Sequence, residues 1–562
     1  MKPEILYSVK AQRGPTLRCK GWRQEGLLRM LENTMENAEA PERLVIYGGI
    51  GKCARNWESY HAIVKSLKEL EDDETLVIQS GMPVAIFKTH RLAPRVLMAN
   101  TNIIKATWEI FYDLQDKNLT MFSQYTAGPW EYIGTQGVIQ GTFETLGSVA
   151  NQHFDGSLAG RIYFTAGLGG MGRNQPRAMT MHGGVCLVVD ADEKKIERAL
   201  DRGFLDTKTA SLEEGIELAE KAKARKQALG IGVHGNAADL FPKALEMGWM
   251  PDIMSEMCPC HDPLSYIPVG YTPEEAAELR RRDRALYLEK ARESMKKQLA
   301  AMNEYFRKGV RVFEYGTSIR KECRDAGMPE DEAMTIPGFV EAYIRPLFLV
   351  GRGPFRWVCL SGEASDLAKI DDLVIELFPE DKMTVKWIKL AREHLPIEGL
   401  PARVCYLGFG QRKTLALRVN EMIRNGELAG PVAFSRDNLD SGSIVNPTFE
   451  SENMKDGSDL ISDWPYLNAL LNTAAMADLV TIQANYSMGE AVHTGVTIIA
   501  DGSEETDRRL EACMTTDPGI GVVRHAQAGY ELARQVCEGK GPFTDEKIKV
   551  PLWWSPNATF GP

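Results

Sequence analysis

The stretch Tyr163–Pro176, "YFTAGLGGMGRNQP", decides how the chain is read. Gly167, Gly169 and Gly172 form a G-x-G-x-x-G. "RIYFTA" (161–166) before it is a strand candidate, and helical sequence follows. The next apolar, β-branched run, "VCLVVD" (185–190), ends in Asp190, 18 residues beyond Gly172. An acid about 20 residues past such a loop is the ribose-binding group of a dinucleotide fold. In that fold the first glycine makes the turn, the second lets a pyrophosphate approach, and the third packs helix on strand. Asp190 repels a 2′-phosphate, which favours NAD over NADP. Alone, the glycines describe only a tight turn; the strand, helix and acid around them point to a cofactor.

From about 160 to 320 strand and helix candidates alternate. "GIGVHG", "PDIMSE" and "VRVFEYG" are short strands, and "LEEGIELAEKAKARKQAL" (212–229) has helical spacing. The run from Thr272 to Gly309 is expected to be one long amphipathic helix, capped by Thr272 with Glu275 three residues on. This order predicts a parallel sheet with helices on both faces. The flanks differ. "ERLVIYGGIGKCARNW" holds a strand, a glycine turn and a helix start; after residue 350 the strands "ARVCYLG" and "LVTIQ" alternate with helices. The expected fold class is α/β, with a Rossmann-like NAD-binding domain (138–348) inserted into a larger α/β core domain built from both chain ends (1–137 and 349–562). The tail "VPLWWSPNATFGP" reads as an arm packing on a neighbour.

The 562 residues are 44% hydrophobic and 25% charged, with a net charge of −11 and a pI near 5.5. That acidity argues against nucleic acid, which demands a concentrated basic surface. No run approaches the ~20 apolar residues of a membrane span. Ten scattered cysteines without framework spacing fit reduced thiols and a cytoplasmic location.

Several residues outside the glycine loop could do chemistry. Tyr47, Gly48 and Gly49 form a turn at a strand end, which is otherwise only a tight turn. Cys405 shares a strand face with Arg403 near a strand's C-terminal end, where open sheets place ligands; a strand cysteine is also a small buried hydrophobe. Arg356, between aromatics in "GPFRWVCLSGE", is either a clamp for a substrate carboxylate or half of a structural ion pair. Asp437 and Asp440 in "SRDNLDSGS" are acid–base candidates or loop caps. "CPCHDP" (258–263) gathers Cys258, Cys260 and His261 but lacks a second ligand cluster, so no metal site is expected. G-x-S-x-G and H-E-x-x-H are missing, leaving Ser-His hydrolases and zinc proteases unsupported.

Together these stretches resemble urocanase (urocanate hydratase). The resemblance rests on "VIYGGIGKCARNW", "IQSGMPVAIFKTHRLAPRVLMAN", "TAGPWEYIGTQGVIQGT", "TAGLGGMG", "HGNAAD", "HDPL", "IPGFVEAYIRPLF", "GPFRWVCLSGEA", "GLPARVC", "DNLDSGS", "DGSDLISDWPYLNALLNTA" and "TTDPGIGVVRHAQAGY", which run through nearly the whole chain. The family holds NAD tightly and uses its oxidised nicotinamide as an electrophile rather than a hydride acceptor, so the resemblance implies water addition to an imidazole acrylate without net redox. It implies cofactor contacts at Gly167, Gly169, Gly170, Met171, Gly172, Asp190, Lys195, Gly48, Gly49, Gln124, Asn236, His261, Tyr315 and Gly489. It assigns Cys405, Tyr47 and Asp440 to catalysis and Arg356 to the substrate carboxylate. A homodimer is also implied.

The departures matter. "EMCPCHDPLSY" is one residue shorter than its family counterpart; "QANYSMGEAVHTG" is two shorter and lacks the paired histidines. Phe449 replaces an arginine, Lys195 replaces another, and "GGMGRNQ" stands for G-G-M-G-G-A-Q. Loss of polar groups at the rim with retention of the core residues points to a ring-substituted substrate: thiourocanate, S-methyl-thiourocanate or N-methylurocanate. Met257, Cys258, Cys260 and Met488 in the changed segments give a soft, polarisable wall. Ordinary urocanate hydration is the alternative; a dehydrogenase and a non-catalytic NAD-binding relative are the remote ones.

Overall fold

The computed structural model describes residues 8–484 and 488–553. The chain divides into two compact units, one of residues 138–344 and one of residues 1–137 with 345–562. The second boundary falls after Ile344, ahead of the residue 348 expected from the sequence.

Both chain ends build the larger unit. Strands β1 (Val45–Tyr47) and β2 (Gly51–Lys52) form an antiparallel pair around a turn. The main sheet takes β3 (Glu74–Gln79), β4 (Met82–Lys88) and β5 (Val96–Asn100) from the N-terminal part. From the C-terminal part it takes strands whose numbers follow those of the inserted unit.

In the inserted unit, β6 (Ile162–Ala166), β7 (Val185–Asp190), β8 (Thr207–Thr209), β9 (Leu229–His234), β10 (Ile253–Met254) and β11 (Arg311–Val312) form one sheet in the order β11-β10-β6-β7-β9-β8. Every pairing is parallel. Each residue of β6 and β7 is buried, as strands covered on both faces must be. The chain leaves β6 to one side for β7 and returns to its other side for β10, so the topological switch point lies at the C-terminal end of β6. The expected long helix is two: Pro273–Arg282 and Arg284–Arg307. Thr272 and Glu275 do form a capping box. The break is Asp283, whose extended backbone and side-chain bond to the Leu286 amide (3.0 Å) start a new helix.

The remaining strands are β12 (Gly353–Cys359), β13 (Ala402–Leu407), β14 (Val432–Arg436), β15 (Ile444–Val445), β16 (Leu479–Gln483) and β17 (Val492–Ala500). The main sheet runs β13-β12-β14-β17-β16-β5-β3-β4, with β15 beside β17. Register decides which side chains share a face. Arg356 pairs with Val404 and Ser435, Ser435 with Thr497, and Thr481 with Gly495, so Arg356, Ser435, Gly495, Thr497 and Thr481 project to one side. Phe355 pairs with Cys405 and Arg436, which puts those three on the other. Helix Trp22–Glu36 packs on the Arg356 side, with Gly26 against Ile499. Helices Ala364–Leu377, Lys382–His394, Gln411–Arg424 and Glu504–Gln527 serve the Cys405 side, through Asp371–Arg403, Trp387–Val404, Arg412 over Phe355, and Asp517–Arg436. Of the expected C-terminal arm, Trp553 stacks on Arg534 of its own chain at 4.9 Å; residues 554–562 lie outside the described residues.

Candidate functional site

The glycine loop sits at the switch point of the inserted unit. Gly167 has φ +89, and a Cβ there would lie 2.3 Å from the Met257 carbonyl oxygen, just beyond β10. A Cβ at Gly172 would lie 2.2 Å from the Gly167 oxygen. These two glycines close the turn on itself. A Cβ at Gly169 would meet nothing within 4 Å, so this glycine faces open space where another molecule's backbone-close group can sit. Gly170 and Met171 beside it are half-buried. Arg173 stands on Phe204 at 5.3 Å in a cation–π contact, a positive charge at the start of helix Asn174–Met181. Open glycine, helix N-terminus and cation together fit a pyrophosphate.

Asp190 ends β7 and ties the loop down: its carboxylate accepts from the amides of Leu168 (2.6 Å) and Asp192 (2.8 Å). Lone pairs remain on both oxygens for ribose hydroxyls. Asn236 caps helix Ala237–Glu246, accepting from Ala238 (2.9 Å) and donating to the Ile267 carbonyl (2.9 Å). Its side chain is therefore already engaged in holding that helix. Tyr315 donates to Thr142 at 2.9 Å, and burial pushes its phenol up to about 12. Lys195 lies half-buried in the first turn of helix Glu193–Asp201. His261 is half-buried; desolvation holds its imidazole below the usual range, against the opposing charge of Asp262. In "CPCHDP", Cys258 and Cys260 pack against the hydrophobic core and the Cys260 thiol faces Glu256 at 3.9 Å. Burial raises Glu256 to about 8. Among the described residues no His/Cys/Asp/Glu group could hold a metal ion.

In the larger unit, Gly48 and Gly49 both have positive φ, 67 and 81. A Cβ at Gly48 would lie 2.0 Å from Gln124 Oε1, so the glutamine side chain fills the turn and only glycine admits it. Tyr47 donates to the Gln124 carbonyl (3.2 Å) and accepts from the Thr126 amide (3.1 Å). Burial and the nearby Asp437 charge raise its phenol far above the usual value, so it is a neutral donor at any working pH. Gly489 has φ +83 and packs against the Ala106 carbonyl; a Cβ would come within 2.6 Å. Met488 is buried with Phe111 and Phe122. Residues 485–487 of the same segment lie outside the described residues.

The four residues assigned to catalysis and substrate binding do not share a surface. Arg356 donates to the Glu131 carbonyl (2.9 Å) and pairs with Asp437 (2.5 Å), and both Arg356 and Asp437 act electrostatically on Tyr47. Asp437, rather than Asp440, is the acid beside Arg356 and Tyr47. Asp440 accepts two bonds from Arg412, 2.7 and 3.0 Å, with both side chains buried, and a Cβ at Gly353 would strike its Oδ1. Gly353 is two residues from Phe355, which places Asp440 on the Cys405 side of the sheet. A guanidinium that grips a carboxylate in two places fixes its position and orientation. Cys405 is fully buried on that same side, its strand alternation carrying it away from Arg356.

On the Arg356 side the sequence reading missed a group. Glu131, in "GPWEYIG", is fully buried, and neither carboxyl oxygen has a hydrogen-bond partner. Ser435 Oγ, Thr481 Oγ1, Thr497 Oγ1 and Arg356 Nε are likewise buried without partners. A lone charge inside an aromatic, glycine-flanked run was the available signal.

Three family models match the chain in succession: one described as the urocanase N-terminal domain over residues 9–131, one as the urocanase Rossmann-like domain over 134–343, and one as the urocanase C-terminal domain over 346–539.

Proposed function

The chain belongs to the urocanase family and has its hydratase-type, lyase activity, and we propose that it adds water to a ring-substituted urocanate with the help of bound NAD. The single observation that supports the hydratase reading is the succession of all three family domains over one chain that keeps the glycine loop at the switch point.

Gly169, Gly170, Met171 and Gly172 with Arg173 would cradle the cofactor's phosphates, and Asp190 with Lys195 its adenosine ribose. Gly48, Gly49, Gln124, Asn236, His261, Tyr315 and Gly489 are the further contacts the family resemblance suggests. When bound, NAD⁺ supplies an electron-poor ring that no side chain can offer. The chain's own groups bind and orient. Arg356 holds an acid group, exchanging Asp437 for a substrate carboxylate or binding it alongside. Tyr47, kept neutral, would turn its one O–H from the Gln124 carbonyl to the substrate. Asp437, on a partly exposed loop and paired with Arg356, is the acid–base candidate beside them.

The ring substituent is supported by the departures at the rim. Phe449 stands buried where the family has a cation, and Met488, in the altered segment, packs with Phe111 and Phe122 as a polarisable group. An apolar wall favours a substituent of sulfur or methyl over a bare ring by about 1–3 kcal/mol. A homodimer and a cytoplasmic location belong to the same proposal; among the described residues no helix is long and apolar enough to cross a membrane.

The test is ultraviolet absorbance of the NAD-loaded protein with urocanate, thiourocanate, S-methyl-thiourocanate and N-methylurocanate in turn. Hydration breaks the ring–acrylate conjugation, so the substrate band falls with no reduced-nicotinamide band rising. Loss with a substituted substrate alone supports the proposal. Equal or faster loss with plain urocanate makes this an ordinary urocanate hydratase.

A further inference from the structure

The buried carboxyl of Glu131 is a costly feature with no structural beneficiary. Neither of its oxygens is hydrogen-bonded, although it lies in the tightly packed larger unit. Room has been made for it: a Cβ at Gly495 would lie 2.7 Å from Glu131 Oε1 and 2.8 Å from Thr481 Cγ2, so glycine in the middle of β17 lets the carboxyl rest directly on the sheet. The position is fixed from behind, because the Glu131 carbonyl accepts from Arg356 Nη1 at 2.9 Å. The guanidinium of Arg356 nevertheless pairs with Asp437 and not with Glu131. Beside the carboxyl on the same sheet face stand three hydroxyls without partners, those of Ser435, Thr481 and Thr497.

A buried polar group left unmade is unfavourable, and several on one face are rare in a finished core. Such groups accumulate where a ligand completes the bonds. The pair of functions along this face is specific: a guanidinium, and a carboxyl held apart from it. A guanidinium takes an acid; a carboxyl takes an N–H.

We propose that Glu131 is a specificity-determining residue that hydrogen-bonds a ring nitrogen of the substrate, so that this face selects an acid carrying an N–H heterocycle. The inference rests on the hydratase reading of the same unit. The charged and titratable groups acting on Glu131 are Arg356 from β12, Arg436 and Asp437 from β14 and the loop after it, and Asp517 from helix Glu504–Gln527. Desolvation outweighs the two arginines and holds the carboxyl protonated well above the ordinary carboxylate range. It therefore offers an O–H to a bare ring nitrogen or an oxygen to a ring N–H.

The experiment uses two ligands that cannot be hydrated, imidazole propionate and 3-phenylpropionate, titrated calorimetrically into the NAD-loaded protein. They share the acid and differ in the ring nitrogens. The wild type is expected to prefer imidazole propionate by about tenfold or more, the worth of a buried hydrogen bond. Glu131→Met, close in volume and apolar, should abolish the preference by weakening imidazole propionate alone, with an unchanged or higher melting temperature. Glu131→Gln, which keeps a donor and an acceptor, should retain part of it. Undiminished preference in Glu131→Met, equal binding of both ligands by the wild type, or a lowered melting temperature in Glu131→Met overturns the inference, the last by making Glu131 structural. A wild type that binds neither ligand and turns over no imidazole acrylate sinks the hydratase reading itself, which a selective loss in the variant cannot do.

Discussion

Asp440→Asn separates a structural carboxylate from a catalytic one. Arg412 holds Asp440 at 2.7 and 3.0 Å, and both side chains are essentially excluded from solvent. Removing one member of such a pair strands a buried charge, which costs about 3–5 kcal/mol. Three features place this variant near the lower end. Asn keeps one oxygen to accept one of the two bonds. Arg412 keeps the carbonyls of Leu407 (2.9 Å) and Gly351 (3.2 Å). Asp517 Oδ2 stands 3.4 Å away and still shares the charge. Against these, the new NH₂ points at a guanidinium N–H. About 3 kcal/mol is expected, a fall of roughly 4 °C in melting temperature for a unit of this size. Circular dichroism melts measure it, with turnover followed well below the transition. Arg412→Met with Asp440→Leu removes both charges and should recover most of the loss, which a double-mutant cycle makes quantitative. A variant that melts with the wild type yet has lost all turnover would refute this reasoning and return Asp440 to proton transfer.

Gly172→Ala would press a methyl to 2.2 Å from the Gly167 carbonyl oxygen, so the purified variant should retain little NAD after gel filtration; full retention would remove the loop from cofactor binding. Burial raises the Glu131 pKa, so the folded state keeps a proton the unfolded chain releases near pH 4.5; stability from this group is present below that pH and is lost as pH rises toward the folded pKa. Urea unfolding should show Glu131→Gln gaining on the wild type between pH 4 and pH 7, and a pH-independent difference would contradict the assignment. Cys405 is fully buried, so its alkylation by iodoacetamide should follow global unfolding, whereas labelling of the native protein at this residue would mean the strand opens. Asn236→Ala removes the cap of helix Ala237–Glu246 and should cost about 1 kcal/mol by urea unfolding, with an unchanged value showing the cap to be dispensable.

The parts of this fold legible in the sequence are those written in short-range chemistry. The glycine loop, the buried runs of β6 and β7 and the capping box at Thr272 each depend on neighbours a few residues away, and the structure has them. The single long helix failed for an equally local reason: Asp283 is a better cap than a helix interior, and nothing in the apolar spacing shows it. The site of the larger unit depended on register, which no single segment contains. Arg403 and Cys405 share a face from alternation alone, but whether Cys405 shares one with Arg356 is fixed by the pairing of Cys405 with Phe355. One residue of slip would reverse it. The pairing of Asp440 with Arg412, on the side of the sheet opposite Arg356, is likewise something no local pattern contains.

The two faces of the main sheet carry polar groups in different conditions: the buried ion pairs of the Cys405 side are met, although Trp357 Nε1 is not, and several oxygens of the Arg356 side are unmet. On the Cys405 side, Arg436 is paired with Asp517, Asp517 also accepts from Asn468 and Asn472 at 2.9 Å each, Arg412 is paired with Asp440, and Arg403 with Asp371. Those carboxylates and guanidinia satisfy one another; Arg436 holds the Asp517 carboxyl below the ordinary range although burial alone would raise it. Such a network specifies the packing of four helices on the sheet and has little capacity left for a ligand. On the Arg356 side the polar groups are comparably buried and incompletely met, with Glu131, Ser435, Thr481 and Thr497 contributing orphaned oxygens. A sheet stabilised by a closed network on one face can carry unmet groups on the other, because the loss is made good elsewhere in the same strands. Mutation of the closed face should therefore register first in stability, and mutation of the open face first in ligand selectivity.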